Sequence, residues 1–152
     1  MNNQGLESFG EQLLLSTCPQ LEKYVENDSS VLIVKADLRK VRLISDISYH
    51  YKTQNFFMER YSINHTKAPG GPWQALEEGA DIFIYLFVRN KVAYIFEDVP
   101  YLVEKLERVI KDNHLRLDYK RQRKYYASGF KIKRNLLEEC YTRITLDEGL
   151  IL

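Results

Sequence analysis

The chain has 152 residues, with 22 Lys and Arg against 21 Asp and Glu, for a formal net charge of +1. That length suits a single domain over 1–152 with a sizeable core and leaves no room for two ordinary ones. The longest apolar run, 82–88, is far too short to cross a bilayer, and the start MNNQGLESFGEQ has neither the basic nor the apolar part of a secretory leader. Cys18 and Cys140, without CxxC spacing, read as the reduced thiols of a cytoplasmic protein rather than as a disulfide or a metal pair.

Leu6, Phe9, Leu13, Leu14, Leu21 and Val25 recur near helical spacing, so a helix is expected over 6–26, divided or kinked at Pro19. Asn27-Asp28-Ser29-Ser30 stops it and opens VLIVKAD, 31–37, a strand rich in β-branched residues. Short turns at 38–40 and 53–55 then set off two further strands, 41–51 and 56–62, and connections this short imply an antiparallel meander. Gly70-Gly71 closes a polar loop, and Pro72 begins a helix that ends at Gly79, an arrangement that suits both helix termini. In the nearly continuous apolar run 81–88 lies a central strand buried on both faces, turned by Arg89-Asn90-Lys91 into 92–96. Leu102, Val103, Leu106, Val109 and Ile110 form one helical stripe after Pro100, as far as His114. The remainder offers a strand at 130–132, a short helix at 135–140 and a last strand at 142–146.

The segment VRLISDISYHYKTQNFFMERYS, 41–62, carries polar side chains where a buried sheet would have apolar ones. On a strand, alternation places Asp46, Ser48 and His50 on one side, with Lys52 following on the same side, while Glu59 shares a face with Phe57 and Tyr61 in the next run. Neighbouring strands of this kind bring a carboxylate each to one place, which suits a divalent metal. The bland alternatives are a strand-ending turn residue for Asp37, a solvated edge for Asp46 and Ser48, and a partner of Arg42 or Arg60 for Glu59.

Charge is unevenly spread. Between 116 and 134 stand Arg116, Lys120, Arg121, Arg123, Lys124, Lys131, Lys133 and Arg134 against Asp118 alone, a local +7 that leaves −6 for the rest. Tyr119, Tyr125, Tyr126 and Phe130 interleave with these cations, a mixture suited to a nucleic-acid backbone and its bases. A plain solvated face is the alternative. Trp73 reads as a core anchor at a helix start, and His65 and His114 lack metal-ligand spacing. GxSxG, HExxH, DxDxDG and a phosphate-cradling loop are all missing, which removes classical hydrolase and nucleotide-hydrolysing readings.

Asp37 in VKAD, Asp46 in ISDISYHY, Glu59 in FFMERYS, the GGPW loop at 70–73, GADIFIYLF at 79–87 and GFKIKRNLL at 129–137 follow one another in a familiar order. Over 30–147 the chain resembles a divergent member of the PD-(D/E)XK nuclease superfamily, in particular its Holliday-junction-resolvase-like and phage-type members. The resemblance implies an α/β restriction-endonuclease-like core, a mixed sheet whose antiparallel three-strand meander is flanked by helices. It implies Asp37, Asp46 and Glu59 as ligands of Mg²⁺ or Mn²⁺, with His50 or Lys52 standing where that family carries a lysine. The implied activity is a metal-dependent DNA phosphodiesterase of recombination, replication or mobile-element processing. Lys120, Arg121, Arg123, Lys124, Tyr125 and Tyr126 would contact DNA, a homodimer is compatible, and no membrane is involved. The alternative is a nuclease-fold protein with an eroded site, acting as a nucleic-acid-binding or protein-interaction module.

Overall fold

The computed structural model describes residues 3–27, 29–47, 49–121, 125–150 and 152. They begin with helix α1 (Asn3–Thr17), strands β1 (Leu21–Glu26), β2 (Ser29–Val34) and β3 (Lys40–Asp46), and the one-turn helix α2 (Tyr49–Lys52). Strands β4 (Asn55–Ile63) and β5 (Ala68–Pro69), helix α3 (Gly71–Glu77), strands β6 (Ile82–Phe87) and β7 (Val92–Phe96), and helix α4 (Val99–Asp112) follow. The last strands are β8 (Asp118–Arg121), β9 (Tyr126–Lys133) and β10 (Thr142–Thr145).

The strands form two sheets, one in the order β1-β2-β3-β6-β7-β10 and one in the order β5-β4-β9-β8. The first is mixed, because β3 runs parallel to β6 while its other neighbours pair antiparallel. All six residues of β6 are buried, as a central strand covered on both faces must be. On one face Ile82, Ile84 and Leu86 meet Leu6 and Leu14 of α1. On the other, Phe83, Tyr85 and Phe87 meet Phe56 and Met58 of β4, Phe130 and Ile132 of β9, and Leu102 and Leu106 of α4. The molecule is thus α/β, with a mixed sheet between helices. Trp73 is buried as a helix-start anchor and donates its indole N–H to Glu107 at 3.4 Å.

Two expectations need correction. The helix expected over 6–26 is two elements: α1 stops at Thr17, Pro19 breaks the chain's helical path, and Leu21–Glu26 pairs with β2 in the register Leu21↔Val34. The meander is therefore β1-β2-β3, one strand upstream of the expected 31–37, 41–51 and 56–62. The strand expected over 41–51 ends at Asp46, and β4 belongs to the second sheet. Residues 49–52 turn helical because a distant cation gathers their carbonyls: the Arg134 guanidinium donates to the oxygens of His50, Tyr51 and Asn55 at 3.1–3.5 Å. Thr53 adds its hydroxyl to the carbonyls of Tyr49 and His50.

No helix among the described residues is long and apolar enough to cross a membrane. Cys18 and Cys140 are both free, one in each apolar core.

Candidate active site

β3 ends at Asp46 beside Phe87 of β6, and β4 carries Glu59 across from it in the other sheet. The two carboxylates line one small cleft of about 50 Å³ with Tyr85, Phe57, Ser45, Lys120 of β8 and Glu7 of α1. Helix α1 reaches the cleft because it crosses β3 at Gly10, where a Cβ would stand 2.0 Å from the Ser45 hydroxyl.

Asp46 is held firmly. Its Oδ2 accepts the Tyr85 hydroxyl at 2.5 Å and its Oδ1 accepts the N–H of Ile47 at 2.7 Å. Tyr85 in turn accepts the Phe57 N–H at 3.0 Å, so one buried hydroxyl ties β6, β3 and β4 together. Burial, and then the Asp46 charge, push the Tyr85 pKa well up, which keeps the hydroxyl a donor. Glu59 is different. Its carboxylate has no hydrogen-bond or ion-pair partner among the described residues, and burial raises its pKa to about 7, against the lowering influence of Lys120. Its expected alternative partners are engaged elsewhere: Arg42 with Gln74 and Glu78, Arg60 over the rings of Tyr61 and Trp73. The Gly70-Gly71 turn presses on Glu59 from behind. A Cβ on Gly70 would lie 2.5 Å from its Oε2, and Gly71, at φ +48°, would clash with its backbone oxygen at 2.7 Å.

His50 borders the cleft through Phe57, on which it stacks at 5.7 Å. Its Nδ1 is buried without a partner among the described residues, and burial lowers its pKa despite the nearby Asp46 charge, so the ring is neutral at pH 7. Lys52 ends α2 exposed and outside the cleft lining. Asp37 lies at the wrong end of the sheet for the expected three-acid set. It sits in the turn before β3, paired with Arg39 at 2.7 Å, and the length of that strand separates it from Asp46 by about 20 Å. Among the described residues no three His, Cys, Asp or Glu side chains stand together so as to hold a metal ion.

The structure thus brings together Asp46, Glu59 and His50 and adds Lys120, Tyr85 and Glu7. Of the expected DNA contacts, Lys120, Arg121, Tyr125 and Tyr126 are exposed on or beside β8 and β9, while Arg123 and Lys124, like Ser48, lie outside the described residues. Tyr85 had a legible signal: it is the sole side-chain hydroxyl in the run IFIYLF, and a buried tyrosine needs a partner for it. The meeting of Lys120 with Glu59 had none, because it depends on strands over fifty residues apart being joined through β9.

Mg²⁺ prefers oxygen ligands and is often held by one or two carboxylates, with substrate phosphates completing its shell. Asp46 and a desolvated, unpartnered Glu59 fit a two-carboxylate site of that kind, and Asp37 does not contribute. No protein-family model, curated protein or solved structure gives a significant match to this chain, so the chemistry of the cleft rests on its own residues.

Proposed function

We propose that this chain is a metal-dependent phosphodiesterase acting on DNA, built on a variant of the restriction-endonuclease-like core. The observation that carries the reading is the convergence of Asp46 and Glu59, from two different sheets, on one cleft that also holds a lysine. In this reading Asp46 and Glu59 hold Mg²⁺ or Mn²⁺, and Tyr85 fixes the orientation of Asp46. When bound, the ion would offset phosphate charge and favour deprotonation of an attacking water. Lys120 takes the place expected for Lys52, as the cation beside the acids that steadies a phosphate. His50, neutral and close by, is the available proton acceptor.

A second reading has its own support. Asp37 is remote, and both oxygens of Asp46 already have partners within the protein. Those features favour a nuclease-fold module that binds without cutting.

Metal binding to the folded state separates the two. At a hundredfold excess over its Kd, Mn²⁺ should stabilise the wild type by about 2.7 kcal/mol, raising Tm by roughly 5–10 °C. Asp46→Asn should remove that increment while keeping an acceptor for Tyr85. A wild type whose Tm ignores Mn²⁺, and which leaves branched, duplex and single-stranded DNA intact in Mg²⁺, would establish the binding module instead.

A further inference from the structure

β8 pairs with β9 in the register Asp118↔Gly129, Tyr119↔Ser128, Lys120↔Ala127 and Arg121↔Tyr126. Residues directly opposite in an antiparallel pair project to the same side. Lys120 therefore faces the cleft with Glu59 and Phe57, while Tyr119, Arg121 and Tyr126 share the other side. Further along β9 that other side is core, with Phe130 and Ile132 buried. β8 is an edge strand and overhangs the core, so Tyr119 and Tyr126 are 62% and 52% exposed. Neither ring makes a ring, cation or hydroxyl contact among the described residues. Packing thus gives no account of two large aromatic faces held in water on either side of an arginine, as diagonal neighbours about 7–8 Å apart.

We propose that this edge binds an unpaired stretch of DNA, with Tyr119 and Tyr126 stacking on its bases and its phosphates passing Arg121 and Lys120 into the cleft. The proposal rests on the DNA reading above and narrows it to single strands. In a duplex the bases already stack on one another and offer only their edges, whereas an exposed ring face binds an exposed base face. Charge complements the choice: residues 116–134 carry eight cations against one acid, and Lys120 lies around the strand edge from the rings, between them and the acids.

The test is fluorescence anisotropy of a labelled single strand and of its duplex, in EDTA so that cleavage plays no part. Wild type should bind the single strand more tightly. The Tyr119→Ala, Tyr126→Ala double variant should lose roughly tenfold or more in single-strand affinity, and less than about twofold on duplex. Tyr119→Phe with Tyr126→Phe should bind as wild type does, since the ring suffices, and an unchanged Tm in each variant shows that the fold persists. Equal losses on both forms, or none on either, would overturn the proposal while leaving DNA binding intact. Failure of wild type to bind either form would overturn both readings.

Discussion

Glu59 and Asp46 face the same cleft, but the Asp46 carboxylate has hydrogen-bond partners while that of Glu59 has only burial. For Glu59 the folded state favours the protonated form, with a pKa of about 7, above the ordinary carboxylate range of the unfolded chain. Between the two values the unfolded chain is ionised while the folded one still holds its proton. Raising the pH through that window therefore costs stability, none of which is lost below it, and the full cost is present above about pH 7. Glu59→Gln removes the titration. Discounting for partial exposure, the Tm difference between variant and wild type in EDTA should rise in the variant's favour by roughly 3–6 °C from pH 4 to pH 8. A difference that does not change with pH would mean that Glu59 is solvated as an ordinary carboxylate. Adding Mn²⁺ at pH 8 should shrink the wild-type penalty, because a cation supplies the counter-charge that the cleft lacks.

Between β3 and β4 the short helix α2 places His50, and one residue eighty positions away holds it. Arg134 donates to three carbonyls and lies over the rings of Tyr51, Phe87 and Tyr94 at 4.9–5.5 Å. Hydrogen bonds from a charged donor are among the stronger ones, so Arg134→Ala should destabilise by about 2–4 kcal/mol in urea melts and shift the His50 ring resonances. Arg134→Lys should recover little, for lack of a planar fork; full recovery would assign the effect to charge alone. The same contact explains what the sequence could and could not tell. Strands β6 and β7, helices α3 and α4, and the 3₁₀ turn over 134–140 follow from local periodicity and punctuation, and they lie near where that pattern places them. The alternation in ISDISYHY carries no trace of Arg134, so it reads as continued strand. Likewise LEKYVE looked like the end of a helix because Leu21 and Val25 keep helical spacing, while its pairing with β2 is a tertiary fact. Asp46 and Glu59 were legible as acids on strands; Asp37 was counted with them through the resemblance, but the hairpin turn that holds it opens β3 at the end opposite Asp46.

On the scale of the whole molecule, charge is divided. Glu7, Glu11, Glu26 and Glu78 border a trough of about 600 Å³ over β2 and β3, where Lys23 pairs with Glu11, Lys40 with Glu26 and Arg42 with Glu78. The cations collect instead along β8, β9 and the segment between them. A polyanion is therefore drawn to the β8 edge, which leads to the Asp46 and Glu59 cleft. Each phosphate neutralised releases condensed counterions, so affinity from this edge should fall steeply with salt and depend little on base sequence. Replacing Lys120, Arg121, Arg123 and Lys124 together by Gln should weaken binding at low salt and flatten the log-affinity against log-salt slope by up to roughly 3–4 units, if each meets one phosphate. The Tyr119 and Tyr126 variants should lower affinity without changing that slope, because stacking releases no counterions. Salt titrations of labelled DNA by anisotropy measure both. Superimposable curves for wild type and the quadruple variant would make the basic run a solvated surface and leave the cleft without an electrostatic approach for DNA.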